Sequence, residues 1–216
     1  MTEPMAPRRF HESDGVEDWR VLNNRACALF RTGSFARGVE LVDAIGRLAD
    51  AADHHPDVDL RYPAVTVRLE THDAGGLSQR DVDLARQISG AARELGLSAD
   101  PSAVQFMRIA IDTARRDEVL PFWRALMGYR VRDESNLDDP LALEAPIWFQ
   151  DMTRPRAHRN RIHIDLSVPH DHAVARVAAA LTAGGRLISD SHAPAWWTLA
   201  DPEGNEVDVC TWRGRQ

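Results

Sequence analysis

Apolar residues recur every three or four positions in two segments of the first hundred residues, a spacing typical of amphipathic helices. The first segment runs from Arg37 to Ala52 behind Ser34, a candidate N-cap. The second opens at Ser78, with Asp81 placed three positions later as in a capping box. Between them, residues 62–71 alternate apolar and polar side chains, which predicts a half-buried strand. The stretch before the first helix, residues 27–35, predicts two short strand pieces about a turn.

The second half of the chain repeats one order of elements. A strand, a helix and further strands are predicted over residues 105–149, and the same order is predicted again over residues 161–212. The two copies open on similar letters, Arg-Ile-Ala-Ile-Asp at 108–112 and Arg-Ile-His-Ile-Asp at 161–165. We interpret this pattern as an internal βαβββ duplication with a period of about 50 residues.

Small and turn-forming residues separate the two halves. The sequence predicts an N-terminal arm at 1–18, a first domain at 19–96, a linker at 97–104 and a second domain at 105–216. The expected fold class is α+β. The first domain would place its helices on one face of an antiparallel sheet, and the second would be a paired βαβββ module.

The charged residues exclude several classes of function. The chain has 26 basic and 33 acidic residues and a net charge of −7, which argues against binding nucleic acid or an anionic membrane. Every basic residue is Arg, so Schiff-base chemistry and phosphate binding by a P-loop lysine are excluded. Because Arg stays protonated, proton transfer must fall to His, Asp, Glu, Tyr or Cys.

Location and redox state are predicted from features that the sequence lacks. No apolar run approaches the roughly 20 residues of a membrane span. The opening segment MTEPMAPRRFHESDG has no apolar signal core, so we expect a cytosolic protein with no membrane partner. Cys27 and Cys210 lie far apart, which predicts two free thiols.

Histidines lie at the ends of the predicted helix and strand. His54 and His55 follow the first helix, and His72 follows the strand that begins near Tyr62. If the chain doubles back there, His72 returns beside the helix terminus. The alternative is a set of surface histidines at a helix C-terminus, where a cation is favourable. A zinc site is disfavoured because adjacent histidine side chains diverge.

One spacing along this stretch connects it to a known family. An acidic residue, three positions, His-His-Pro, an aromatic residue, a distant His and then Asp are met at Asp50, His54, His55, Pro56, Tyr62, His72 and Asp81. Over residues 17–96 the chain thereby resembles the pterin-4a-carbinolamine dehydratase (4a-hydroxytetrahydrobiopterin dehydratase) family.

The resemblance implies a dehydratase without a cofactor. Its substrate would be the 4a-hydroxytetrahydropterin left by aromatic amino-acid hydroxylases, and its product the quinonoid dihydropterin. His54 and His72 are implied as the proton-transfer pair, His55 as a histidine that contacts substrate, and Asp81 as the carboxylate that orients an imidazole. Imidazole suits both roles because its ordinary pKa is about 6.5. Which histidine is the acid and which the base stays open.

The same resemblance implies a substrate-binding set and an oligomer. The implied binding residues are Asp50, Asp53, Pro56, Thr71 and Asp73. Either Asp50 or Asp53 would stabilise the cationic form of an imidazole. A homodimer is implied by the family.

The C-terminal half resembles the glyoxalase-like part of the vicinal oxygen chelate superfamily. The resemblance lies in Phe-Trp-Arg-Ala-Leu-Met-Gly at 122–128, Arg-Ile-His-Ile-Asp-Leu at 161–166 and Asp-Pro-Glu-Gly-Asn-Glu at 201–206. Metal-using members of the superfamily take ligands from the first and the last strand of each repeat.

The metal-ligand pattern is incomplete in this chain. His163 and Asp208 fit the second repeat, with Glu206 as a neighbour of Asp208 in sequence. The matching positions of the first repeat hold no metal ligand; they are Ala110 or Arg108, and Trp148 or Gln150. We therefore expect no metal site and a buried, hydrogen-bonded His163.

Two other functions stay open. The first domain could be a scaffold that binds a pterin or a partner without catalysis. The second domain could instead be the active part, as an enzyme or binder of a small molecule. An apolar cleft would then be lined by Trp148, Trp196, Trp197 and Trp212, and the basic stretch 153–161, which includes His158, would meet an anion. Core packing and a solvated loop are the simpler interpretations.

Overall fold

The structure of the protein, a computed structural model, describes residues 3–152, 164–168, 171–211 and 213. The chain divides into two units, Met1–Phe106 and Met107–Gln216. The predicted α+β class is confirmed in both. Within the described residues, no helix combines the length and the apolar character needed to cross a membrane.

The first unit packs helices against an antiparallel sheet, as predicted. Its described helices are α1 Pro7–His11, α2 Phe35–Ala52 and α3 Gln79–Glu94. Its described strands are β1 Arg20–Leu22, β2 Arg25–Arg31, β3 Asp57–Arg61, β4 Ala64–Leu69 and β5 Ser98–Ala99. The strand order is β1-β2-β4-β3, with β5 also paired to β2, and these pairs are antiparallel.

The two long helices form where the sequence predicts them. The Ser34 hydroxyl accepts a hydrogen bond from the Arg37 amide and begins α2. Ser78 and Asp81 form a complete capping box at the start of α3. Apolar residues of both helices share one core with Val65 and other β4 residues that the alternation predicts to be buried.

The region around the first hairpin differs from the prediction. Residues 27–35 do not form two strand pieces, because β2 ends at Arg31 and Gly33, with a φ of 69°, turns the chain directly into α2. Tyr62 and Pro63 do not begin a strand but form the turn between β3 and β4. This turn frees Pro63 from any need to donate to a strand ladder.

The second unit confirms the predicted duplication. Its first repeat comprises β6 Ile109–Thr113, α4 Arg116–Met127, β7 Arg130–Asp133, β8 Asn136–Asp138 and β9 Ile147–Asp151. Its second repeat comprises β10 Ile164–Ser167, α5 Ala173–Thr182, β11 Arg186–Ser189, β12 Trp196–Ala200 and β13 Glu206–Cys210. The sheets have matching orders, β6-β9-β8-β7 and β10-β13-β12-β11, and the first pair of each is parallel.

A buried carboxylate organises the loop before β13. Asp201 is fully buried and accepts a hydrogen bond from the Trp123 indole nitrogen at 3.0 Å. It also accepts from the backbone amides of Glu203 at 3.0 Å and Asn205 at 2.9 Å. The loop and α4 are therefore held together by one side chain whose hydrogen bonds are shielded from water.

Candidate active site

The end of α2 carries two histidines, one buried and one at the surface. Asp53 ends the helix in the left-handed conformation, with a φ of 46°, which Asp tolerates better than most residues. His54 follows, and its backbone amide donates to the Ala49 carbonyl at 3.1 Å. This turn directs His54 toward the start of α3 while His55 stays at the surface.

Three separate segments line one cavity. Asp53, His54 and His55 come from the end of α2, Thr71, His72 and Asp73 from the chain after β4, and Arg80 from the first turn of α3. These residues surround a cavity of about 320 Å³. His72 itself begins a short 3-10 turn over His72–Ala74.

The most buried contact of the site joins His54 to Asp81. The His54 Nε2 atom lies 2.8 Å from Asp81 Oδ1. The Asp81 side chain is fully buried, and His54 is 6% exposed. Asp81 Oδ2 accepts from the Thr71 hydroxyl at 2.6 Å and from the Ser78 backbone amide at 2.7 Å. The carboxylate therefore orients an imidazole and caps a helix at the same time.

The second histidine has an exposed carboxylate partner. His55 Nε2 lies 2.9 Å from Asp50 Oδ1, and the two side chains are 61% and 81% exposed. A pair this exposed is screened by water and contributes little to stability. Asp50 thus meets His55 from outside the cavity lining, while Pro56, half-buried, lies between the two histidines and β3 without lining the cavity.

Thr71 and Arg80 have contacts that the sequence does not reveal. Thr71 lines the cavity, yet it is 1% exposed and its hydroxyl donates to Asp81. The Arg80 guanidinium donates to the backbone carbonyl of Asp53 and so ties the start of α3 to the end of α2. In the sequence, this contact is indicated by an Arg next to the capping Asp. The position of a residue along a helix does not show in which direction its long side chain extends.

The comparison with known proteins identifies the first unit. A family profile described as pterin 4 alpha carbinolamine dehydratase matches residues 3–91. A protein of Nocardia farcinica (strain IFM 10152), named after the pterin-4-alpha-carbinolamine dehydratases, is 45% identical over 78 residues, which cover 36% of this chain and 82% of the relative. The chain belongs to the pterin-4a-carbinolamine dehydratase family. A similarly named relative from Roseiflexus sp. (strain RS-1) is 47% identical over 70 residues, 32% of this chain and 75% of that protein.

The second unit of this dehydratase-family chain matches a different profile. A glyoxalase-like domain is matched over residues 108–210. Among solved structures, a transcriptional coactivator/pterin dehydratase from Brucella melitensis has 22% identity and a TM-score of 0.40, covering 42% of this chain and 99% of that one. A glyoxalase/bleomycin resistance protein/dioxygenase family enzyme from Burkholderia phytofirmans PsJN has 17% identity and a TM-score of 0.39, covering 48% and 95%.

The two repeats of the glyoxalase-like unit differ in the residues that their parallel strand pairs place opposite each other. Asp165 of β10 lies opposite Asp208 of β13, whereas Asp112 of β6 lies opposite Gln150 of β9. Asp208 also accepts from the Thr198 hydroxyl at 2.6 Å. In the described ranges, no group of three or more His, Cys, Asp or Glu side chains could hold a metal ion.

Several residues named from the sequence fall outside the described ranges. His163, Trp212 and the basic stretch 153–161 with His158 belong to this set. Of the other tryptophans considered for a cleft, Trp197 packs against the core of the second unit, and Trp196 stacks on His192 with ring centroids 4.2 Å apart.

Proposed function

We propose that the first unit dehydrates 4a-hydroxytetrahydropterin to the quinonoid dihydropterin by histidine acid-base catalysis. The observation that carries this proposal is the convergence of His54, His55 and His72 on one cavity. His54 and His55 come from the end of α2 and His72 from the 3-10 turn after β4, so two separate segments bring their imidazoles to the same cavity.

The chemistry needs one proton removed and one supplied. A base takes the proton from N5 of the pterin, the N5–C4a bond becomes double, and the C4a–O bond breaks. An acid protonates the departing hydroxyl, which leaves as water. The base gains the N5 proton and the acid gives a different proton to the leaving hydroxyl, so the number of protons on the protein is unchanged. A correctly placed proton donor or acceptor typically contributes about 10²–10⁴ in rate.

We assign the proposed roles of the residues around the cavity from their burial and their contacts. In our proposal His54, held by Asp81, and His72, on the exposed 3-10 turn, form the proton-transfer pair. His55 contacts the substrate from the open side, with Asp50 stabilising its cationic form. Asp53, Asp73 and Pro56 complete the proposed binding set around it.

The direct test is a dehydration assay with the whole chain. The 4a-hydroxytetrahydropterin would be generated by an aromatic amino-acid hydroxylase, and the appearance of quinonoid dihydropterin followed by absorbance. We expect acceleration above the spontaneous loss of water. A folded protein that binds a pterin without accelerating the reaction would instead establish the scaffold alternative.

For the glyoxalase-like unit we infer a role in binding a small molecule or in oligomerisation, without metal catalysis. The first repeat supports this inference, because Ala110 lies opposite Trp148 in its parallel strand pair and neither side chain can ligate a metal. Metal analysis of the purified protein tests it. A stoichiometric transition metal that is lost in His163→Ala would contradict it.

Three further expectations from the sequence stay proposals. These are a homodimer, a cytosolic location and domain limits at 19–96 and 105–216 with an arm at 1–18. Analytical ultracentrifugation tests the first, localisation of a tagged full chain the second, and limited proteolysis with mass analysis of the fragments the third.

A further inference from the structure

A chain of buried hydrogen bonds leads from the backbone of α3 to His54. The Arg80 amide donates to the Ser78 hydroxyl at 3.2 Å, and the Ser78 and Thr71 hydroxyl oxygens are 2.7 Å apart. The Thr71 hydroxyl reaches Asp81 Oδ2 at 2.6 Å, and Asp81 Oδ1 meets His54 Nε2 at 2.8 Å. Ser78 and Asp81 are fully buried and Thr71 is 1% exposed, so bulk water does not compete for these bonds.

The directions of these bonds can be worked out one proton at a time. An ionised carboxylate only accepts, so the single hydroxyl proton of Thr71 is donated to Asp81. The Thr71 oxygen must then accept from Ser78, whose own oxygen accepts from the Arg80 amide. Every donated proton in this series of hydrogen bonds is therefore directed toward Asp81. The carboxylate has two donors on Oδ2 and can accept from a third on Oδ1.

The same logic fixes the proton on the imidazole. At 2.8 Å from an oxygen that only accepts, His54 Nε2 must carry a proton. A neutral His54 then has its lone pair on Nδ1, and a cationic His54 has its second proton there. Nδ1 is thus the atom that takes or gives a proton, whichever direction the reaction needs.

We propose that the Ser78–Thr71–Asp81 chain sets the tautomer of His54, and that Thr71 is a positioning residue rather than a substrate contact. Its hydroxyl is engaged on both sides within the protein and donates its single proton to Asp81, so it has no proton left to donate to a substrate. Only the kinetic consequences of this inference rest on the proposed dehydratase function. The tautomer itself is a property of the resting protein.

The first measurement is of the tautomer by ¹⁵N NMR of the histidine ring nitrogens in the whole chain. In the wild type at a pH where His54 is neutral, we expect its Nε2 to be protonated and its Nδ1 to be unprotonated. Thr71→Val keeps the shape but removes one of the two donors that hold Oδ2 of Asp81. The carboxylate can then rotate away from His54 Nε2 for part of the time, so we expect a mixture of tautomers. Thr71→Ser restores the donor and should restore the single tautomer.

The second measurement is dehydration kinetics of the same variants. We expect Thr71→Val to lower kcat by about 10-fold or more, with little change in KM. This is less than the roughly 10²–10⁴ contributed by a whole proton donor, because His54 is still present and is misplaced only part of the time. Thr71→Ser should retain activity to within about threefold. The matched control is Thr32→Val, because the Thr32 hydroxyl is also buried but has no hydrogen-bond partner in the described residues; its kcat and its His54 spectrum should match the wild type.

The outcomes separate this inference from the proposed function. A His54 protonated on Nδ1 in the wild type overturns the inference, as does a Thr71→Val variant with a wild-type spectrum. If Thr71→Val fails to fold, the wild-type and Thr71→Ser spectra still decide the tautomer. An Nε2-protonated His54 in a wild type without turnover would keep the inference and reject the dehydratase function. A rise in KM alone in Thr71→Val would overturn the positioning role and indicate that Thr71 contacts the substrate.

Discussion

Asp81 Oδ2 lies 2.7 Å from the Ser78 backbone nitrogen, so the carboxylate that holds His54 also belongs to the capping box that begins α3. Helix capping and the proposed catalysis therefore share one fully buried side chain. A single substitution at this position should damage both properties, and the effect on each can be measured separately.

We expect Asp81→Asn to destabilise the first unit by about 1–3 kcal/mol, since a buried donor loses its acceptor. An amide offers one acceptor and one donor, so its NH₂ group must face either His54 Nε2–H or the Ser78 amide and Thr71 hydroxyl. Urea unfolding measures the change. The control is Asp83→Asn on the same helix, where the carboxylate is 54% exposed and a change below about 0.5 kcal/mol is expected. Equal losses in the two variants would contradict the dual role.

Arg80 is expected to support the cavity through its bond to the Asp53 carbonyl. Arg80→Ala should lower kcat/KM by about tenfold, or ~1.4 kcal/mol, because the end of α2 that carries His54 and His55 is then less firmly held. Arg47→Ala provides the control, since Arg47 lies on the exposed side of α2 and forms an ion pair with Asp43 one turn earlier. If both variants keep wild-type kinetics, Arg80 has no positioning role.

The helices, the capping box and the duplication could be predicted from the sequence because each depends on local spacing. Ser34, Ser78 and Asp81 have the roles that their positions indicate. The edge strand β3 was not predicted. Its five residues do alternate polar side chains with Val58 and Leu60, but two apolar positions directly after a His-His-Pro turn are too few to indicate a strand. The prediction of a strand through Pro63 failed for the same reason, because the turn at Tyr62 and Pro63 becomes apparent only once β3 exists.

The sequence indicated some of the residues that line the cavity but not how they are connected. The spacing of His54, His72 and Asp81 brought them together as candidates, and the cavity includes both histidines. Hydrogen-bond direction and side-chain reach depend on rotamers and on packing between distant segments, which spacing does not encode. For this reason the hydroxyl chain through Thr71 and the contact of Arg80 with Asp53 emerged only from the three-dimensional structure.

The buried thiol of Cys27 should be slow to react in the folded protein. Burial raises the pKa of this thiol above its usual value of 9.0, against the opposing effect of Arg68 and Arg25. We expect slow reaction with a disulfide reagent at pH 8 in the native state, and rapid reaction of both Cys27 and Cys210 in denaturant. Native and denatured proteins that react at the same rate would rule this out.

The same shift predicts a loss of stability in alkali. The pKa of the Cys27 thiol is higher in the folded than in the unfolded chain. The contribution of the protonated thiol to the free energy of unfolding is therefore complete below pH 9.0 and is lost as the pH rises through the pKa of the folded state. Comparing urea midpoints of the wild type and Cys27→Ala from pH 7 to pH 10 checks the sign. The gap between them should narrow with rising pH, and a widening gap would contradict the assignment.

The Asp201 carboxylate should be a principal support of the second unit. Asp201→Ala leaves the Trp123 indole and the amides of Glu203 and Asn205 without their acceptor, at an expected cost of about 1–3 kcal/mol. Tryptophan fluorescence during urea unfolding follows the change. Glu134→Gln, at an exposed turn position of the same unit, should stay within about 0.5 kcal/mol of the wild type. An unchanged midpoint in Asp201→Ala would show that water replaces the lost acceptor.

If the three histidines in the cavity dehydrate a pterin, His72→Ala should slow the reaction. This residue lies on the exposed 3-10 turn, so its truncation should leave folding intact. The decisive measurement is the rate of quinonoid dihydropterin formation by the wild type, by His72→Ala and by the exposed control His172→Ala. We expect a loss of about 10²-fold or more in His72→Ala and none in His172→Ala. A folded His72→Ala protein that turns over at the wild-type rate would contradict the proposed function.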